Sequence, residues 1–80
     1  MTNEFSVYYT SSEALGSITE CECKHVDADE AKKWFLHHST NACAMAGFTA
    51  RVIVTDAGDC IVAEWKYGKG ITWPPEEGEE

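Results

Sequence analysis

The stretch from Arg51 to Pro75 limits the possible folds more than any other part of the chain. It contains three runs rich in β-branched and aromatic residues, separated by short segments that contain glycine. Such runs are typical of antiparallel strands connected by tight turns. The stretch therefore predicts a β-meander of three strands, and the remaining residues must cover one face of it.

Two further strands are predicted upstream of the meander. Residues 4–10 alternate in polarity and place Phe5, Val7 and Tyr9 on one face, which is the period of a half-buried strand. Residues 17–26 predict a second strand, whose even-numbered residues from 18 to 24 would form a mainly solvated face.

The second predicted strand contains the cluster that most resembles a metal site. In a regularly alternating strand, Cys21, Cys23 and His25 share one face. Sulfurs at alternate positions are about 7 Å apart, too far to grip one ion by themselves, so Cys43 or Cys60 would have to complete the site. We expect no metal and no cofactor, and we expect the four thiols to be reduced and buried.

A helix is predicted from residue 27 onwards. Asp27 is suited to cap it, Glu30 can reach back to complete a capping box, and Asp29 lies at the positive end of the helix dipole. The helix should fade near residues 39–41, with a further turn or a second short helix over 42–46. Its predicted apolar stripe comprises Ala31, Trp34, Phe35 and His38.

The predicted order is therefore strand, strand, helix and three strands. This order favours an α+β two-layer domain, with an antiparallel sheet of about five strands and one helix packed on one face. We expect a single domain over residues 1–75 and a disordered acidic tail over residues 76–80.

The charge of the chain limits its partners. Six Lys and Arg residues oppose fourteen Asp and Glu residues, for a formal net charge of −8. Such a surface repels phosphates, so direct binding of nucleic acid is not expected. The charge serves either solubility alone or attraction to a basic partner. Because no apolar run is long enough to span a bilayer and no signal-peptide pattern is visible, we expect a cytoplasmic protein.

No sequence motif predicts an enzyme. The chain lacks a nucleophile elbow, a phosphate-binding loop and a zinc-protease helix motif. The pair His37-His38 could serve a cysteine nucleophile, but solvation of His37 and packing of His38 at the core edge are favoured. Asp56 and Asp59 could belong to a calcium loop, yet a hairpin turn in which Gly58 supplies a positive φ explains them better.

Acidic residues gather at the predicted helix start, around the first hairpin of the meander and in the tail. The sequence leaves open whether two of these groups share one rim. On the last predicted strand, Trp73 either caps the sheet or anchors a partner. The candidate partner-binding residues are Asp27, Asp29, Glu30, Asp56, Asp59, Glu64 and Trp73.

Four segments resemble small proteins of bacteria and their prophages, namely Ala50–Asp56, Gly58–Cys60, Glu64–Gly70 and Pro74-Pro75. Taken over its whole length, the chain resembles phage-encoded anti-CRISPR proteins directed at the type I-C surveillance complex, Cascade. The resemblance lies in chain length, acidic net charge and the order of strands and helix, besides those four segments. The resemblance implies an inhibitor in the host bacterial cytoplasm that binds Cascade at its large, basic DNA-binding subunit and blocks recognition of target DNA. The acidic charge adds the hypothesis that it does so as a DNA mimic, with its carboxylates in the place of phosphates.

Three alternatives to this implied function remain open. The protein could block nuclease recruitment instead of DNA binding. It could be an interaction module with another partner, including a homodimer joined through an edge strand. It could also be a small enzyme or metal protein that uses its cysteines.

Overall fold

The computed structural model describes residues 4–73 and confirms the predicted α+β class. Residues 1–3 and 74–80, which include Pro74-Pro75 and the predicted acidic tail, lie outside the described residues. Among residues 4–73, no helix is long and apolar enough to cross a membrane. The elements are β1 (Phe5–Ser11), a 3-10 turn (Glu13–Leu15), β2 (Thr19–Val26), α1 (Ala28–Thr40), α2 (Ala42–Met45), β3 (Thr49–Thr55), β4 (Ile61–Lys66) and β5 (Gly70–Trp73).

The five strands form one antiparallel sheet in the order β2-β1-β3-β4-β5. The predicted meander is present as β3, β4 and β5. The N-terminal strand β1 lies between β2 and β3, so the connection through α1 and α2 passes over it. This order leaves β2 and β5 as the two edges of the sheet.

The core lies between α1 and one face of the sheet. Val7 and Val52 are fully buried, and Val54 and Phe35 are nearly so. Full burial of an apolar side chain of this size contributes about 1.5–3 kcal/mol. The predicted stripe of α1 is confirmed, since Ala31 and His38 are also buried, whereas Trp34 is half-buried against the same cluster.

The predicted alternation of β2 is wrong because β-bulges interrupt its pairing with β1. Val7 pairs with Cys23 while the next residue, Tyr8, pairs with Cys21, so Glu22 is an extra residue on β2. A bulge of this kind reverses the facing of the residues that follow it, here as far as a second irregularity between Cys23 and Val26. Cys23 therefore packs against the core, and Cys21 lies on the opposite face beside Tyr8.

The thiols differ from the prediction in a second way. Cys21, Cys43 and Cys60 are exposed, and Cys23 is half-buried, so the expectation of buried thiols is wrong. All four cysteines are free. Burial raises the pKa of the Cys23 thiol, and the neighbouring carboxylate of Glu22 raises it further.

The predicted N-cap of α1 is confirmed, but only half of the capping box forms. Asp27 accepts a hydrogen bond from the backbone N–H of Glu30 at 2.8 Å. The Glu30 carboxylate accepts from the indole N–H of Trp34, also at 2.8 Å, rather than reaching back. Asn41 ends α1, and its side chain caps α2 by accepting from the N–H of Ala44 at 2.9 Å.

The turn between β3 and β4 is built around Asp56. One oxygen of its carboxylate accepts from the backbone N–H groups of Gly58 and Cys60 at 2.9 and 3.1 Å. The positive φ of this turn belongs to Asp59, at 63°, and not to Gly58 as predicted. Asp and Asn adopt this conformation more often than most other non-glycine residues.

Candidate functional site: an acidic end of the sheet

The antiparallel order brings two of the predicted acidic groups to the same end of the sheet. Phe5, the first residue of β1, pairs with Val26, the last residue of β2. Thr55, the last residue of β3, pairs with Ser6 and with Ile61, the first residue of β4. The start of α1, which follows β2, and the β3–β4 turn therefore lie at one end of the sheet.

We call this region the acidic end. It also includes a carboxylate that the sequence patterns did not single out, Glu4, which directly precedes β1. Among residues 4–73, its acidic side chains are Glu4, Asp27, Asp29, Glu30, Asp56 and Asp59.

The carboxylates of the acidic end differ in what they already bind. Asp27 and Asp56 each use one oxygen to hold backbone N–H groups, and Glu30 holds the Trp34 indole. Asp29 and Asp59 are exposed, and within residues 4–73 their carboxylates have no hydrogen-bond or ion-pair partner. These two can therefore bind an incoming cation without loss of an internal contact.

No cation of the described chain neutralises this end by direct contact. The two ion pairs within residues 4–73 join Glu22 to His38 and Glu64 to Arg51. Both pairs lie outside the acidic end. Its carboxylates thus produce a local negative potential of the kind that steers a cationic partner.

An apolar groove opens between α1 and the sheet at the same end. Its volume is about 200 Å³, and it lies between the first turns of the helix and strands β3 and β4. Apart from Lys32, its lining side chains are apolar: Phe5, Ala28, Ala31, Phe35, Val54, Val62 and Ala63. An apolar centre with a charged rim is the usual arrangement of a protein interface.

Two predicted partner-binding residues lie away from the acidic end. Glu64 is in the middle of β4, where its carboxylate accepts from Arg51 and, at 3.4 Å, from the hydroxyl of Thr72. These contacts hold neighbouring strands together and leave Glu64 little freedom to bind a partner. The backbone of Trp73 pairs opposite Glu64 and ends edge strand β5, while its side chain lies outside the described part of the chain.

A second cluster of polar side chains joins β2 to the last turns of α1. Glu22 contacts the ring nitrogen Nε2 of His38 at 2.7 Å, and the ring of Tyr9 stacks on His38 with 4.1 Å between centroids. The Tyr9 hydroxyl donates to Glu20 at 3.3 Å. Burial raises the pKa of Tyr9, and the charge of Glu20 adds to this. The prediction of a solvated face missed this cluster, although carboxylates at alternate positions of β2 were its visible signal.

The structure contradicts the geometry on which a metal site would depend. Cys21 and Cys23 lie on opposite faces because of the bulge at Glu22, and so do not share a face as predicted. Among residues 4–73, no group of three or more His, Cys, Asp or Glu side chains is arranged to hold a metal ion.

The acidic end is the candidate site on the grounds of placement, charge and an adjoining apolar groove. Compared with known proteins, the chain matches no family model, no curated protein and no solved structure.

Proposed function

We propose that the protein is a stoichiometric inhibitor that binds a cationic DNA-binding surface through its acidic end. The observation that carries this proposal is the convergence of six carboxylates beside an apolar groove, none of which forms an ion pair with another residue of 4–73. A surface that holds DNA must present cations to phosphates. Carboxylates at the acidic end can take the place of those phosphates, while the groove accepts an apolar side chain.

The proposed target is the type I-C Cascade complex in the cytoplasm of a host bacterium. This target comes from the sequence resemblance and from the charge match. Cascade holds its guide–target duplex in positively charged channels. An acidic domain is attracted to such a channel at a distance, so the net charge of −8 favours rapid encounter. The consequence is loss of target DNA binding without any chemical change to Cascade.

The test is a gel shift of target DNA by purified type I-C Cascade, with this protein added first, together with a sizing run of the mixture. We expect co-elution and loss of the shifted band. Co-elution with the shift intact would contradict competition with DNA and would support interference with nuclease recruitment. Absence of co-elution would remove Cascade as the target.

A pair of variants with equal charge tests whether the acidic end is the contact. Asp29→Asn with Asp59→Asn removes two charges whose carboxylates hold nothing in the fold, and asparagine tolerates the positive φ of residue 59. Leu36→Lys with Thr40→Lys adds the same +2 on an exposed part of α1, at the end where the helix dipole favours cations.

The two variants should separate clearly. Each lost exposed ion pair is worth about 0.2–1 kcal/mol, so the double Asn variant should need roughly 2- to 30-fold more protein to release the DNA. The Lys variant should inhibit as the wild type does. Equal inhibition by both variants would contradict the assignment of the acidic end, even if the wild type binds Cascade.

A further inference from the structure

The end of the sheet opposite the acidic end exposes apolar side chains. Five of the seven large hydrophobic residues that are exposed within residues 4–73 lie there, and Met45 is the most exposed at 70%. A cluster of such side chains, unlike scattered ones, is typical of an interaction surface. We call this surface the apolar end, and it consists of Leu15, Ile18, Met45, Phe48 and Tyr67.

Three connections of the chain meet at the apolar end and hold one another in place. The β1–β2 connection donates from the N–H of Ser12 to the carbonyl of Phe48 at 2.9 Å. The β4–β5 turn donates from the N–H of Tyr67 to the carbonyl of Ala50 at 3.0 Å. Gly47 lies against the Tyr67 ring so closely that a Cβ there would come within 3.3 Å of it. The backbone from which the exposed apolar side chains project is therefore held in place by contacts between the three connections.

A groove of about 260 Å³ opens beside Phe48. Leu15, Ile18 and Phe48 are among its apolar lining residues, and Glu20 also lines it. The groove can accept an apolar side chain from another molecule. Central apolar pockets of this kind carry most of the binding energy in protein interfaces.

The exposed charges around the apolar end are arranged with opposite signs on its two sides. Glu13 and Glu20 lie on the β1–β2 side, whereas Lys66 and Lys69 lie on the β4–β5 side. Phe48 directly precedes β3, the central strand of the sheet, and so lies between them. A two-fold axis that passes near Phe48 perpendicular to the sheet would place the carboxylates of each copy opposite the lysines of the other.

We propose that the occupant of the apolar end is a second copy of this chain, and that the protein is a two-fold symmetric dimer joined through this surface. The dimer buries the apolar side chains of both copies and satisfies both sets of charges. It leaves both acidic ends at the far sides of the assembly. This inference does not depend on the identity of the target proposed above.

The arrangement also answers the objection that two molecules of net charge −8 should repel each other. Strands β1 and β3 have seven residues each, so the acidic end lies roughly 20 Å from the apolar end. The two acidic ends of the dimer are then roughly 40 Å apart, several times the Debye length of about 8 Å at physiological salt. Their repulsion is largely screened.

The edges of the sheet are poorer surfaces for a second copy. Edge strand β2 has two irregularities in its pairing, and His25 within it has a positive φ of 57°. The other edge, β5, has four residues. Bulged and short edges are common protections against strand-to-strand association.

The first test measures mass by light scattering or sedimentation from about 1 μM to about 1 mM, the range in which weak interfaces dissociate. The wild type should rise from 8.9 kDa towards twice that mass. Phe48→Glu should stay at 8.9 kDa, because it brings two like charges to the axis. Leu36→Glu, an equal change on exposed α1, should still dimerise. A wild type that stays monomeric throughout, or a Phe48→Glu variant that dimerises normally, would overturn the proposal.

The second test exchanges the charges. One variant carries Lys66→Glu with Lys69→Glu, and the other carries Glu13→Lys with Glu20→Lys. Each alone places like charges opposite each other in a two-fold dimer and should be monomeric. Their equimolar mixture restores opposite charges on both sides and should dimerise as the wild type does. A mixture that stays monomeric while the wild type dimerises would refute this arrangement, and far-ultraviolet circular dichroism checks that each variant is folded.

Discussion

Removal of the Glu22 carboxylate should destabilise the fold more than its place on an edge strand would suggest. Its side chain is 24% exposed and the His38 side chain 11%, and the two atoms that bind are 2.7 Å apart. Hydrogen bonds that involve a charged group contribute about 1.5–3 kcal/mol net. We therefore expect Glu22→Ala to lower the free energy of unfolding by about 1.5–3 kcal/mol, because it leaves a ring nitrogen of His38 without its partner.

This loss is large for a chain of 80 residues. At about 0.05–0.15 kcal/mol per residue, the free energy of unfolding of the whole domain is roughly 4–12 kcal/mol. One kcal/mol moves the midpoint of thermal unfolding of such a domain by about 4–8 °C, so Glu22→Ala should lower it by roughly 6–24 °C. Glu22→Gln keeps a neutral acceptor, and it should lower the free energy of unfolding by about half as much as Glu22→Ala does. The reason is that charge-assisted hydrogen bonds are roughly twice as strong as neutral ones.

The matched control is Glu20→Ala. It removes the same side chain and the same charge from the same strand, but Glu20 is exposed and accepts a longer hydrogen bond, 3.3 Å, from Tyr9. Glu20→Ala should lower the free energy of unfolding by no more than about 0.5 kcal/mol, as most surface substitutions do. Urea unfolding followed by tryptophan fluorescence measures both variants, since Trp34 lies 6.3 Å from the His38 ring.

A double-mutant cycle separates the pair from general effects. If Glu22 acts through His38, Glu22→Ala should lower the free energy of unfolding much less in a His38→Ala background than in the wild type. The difference, which is the coupling energy, should exceed about 0.5 kcal/mol. Equal losses for Glu22→Ala and Glu20→Ala would refute the reasoning. That result would also argue against the bulge, because only the bulge turns Glu22 and Cys23 together towards α1.

Two further predictions follow from the raised pKa values. Because the pKa of Tyr9 is higher in the folded state than in the unfolded one, its contribution to stability is complete below pH 10 and is lost as pH rises beyond it. Urea unfolding between about pH 9 and 11 should show this loss, and Tyr9→Phe should reduce it. Because the Cys23 thiol is half-buried and has a raised pKa, it should be alkylated last of the four cysteines. Mass spectrometry over the course of alkylation measures this order. Labelling of Cys23 at the rate of the exposed thiols would contradict its placement.

Local patterns in the sequence predicted the elements of this fold well. The alternation of Phe5, Val7 and Tyr9, the stripe of α1 and the three strands of the meander all depend on neighbours close in sequence, and all are present. The cap at Asp27 was equally predictable, because its acceptor and donor are three residues apart.

Features set by single insertions or by distant pairing were not predictable in the same way. One extra residue at Glu22 reverses the facing of Cys23, a second irregularity follows before Val26, and no composition signal marks either position. The contact between Glu22 and His38 joins residues sixteen apart and depends on that bulge. The positive φ at Asp59 rather than Gly58 reflects the hydrogen bonds of Asp56, which a choice based on glycine alone does not include.

The contrast between the two ends follows from strand order, which the sequence did not reveal. In an antiparallel sheet, successive connections alternate between the two ends. The β2–α1 and β3–β4 connections, together with the start of β1, lie at one end and carry the carboxylates of the acidic end. The β1–β2, α2–β3 and β4–β5 connections lie at the other end and carry Leu15, Phe48 and Tyr67. The acidic end, which we propose binds a partner, and the apolar end, which we propose binds a second copy, can therefore change independently. Substitutions in one set of connections leave the other end of the sheet and the core between them intact.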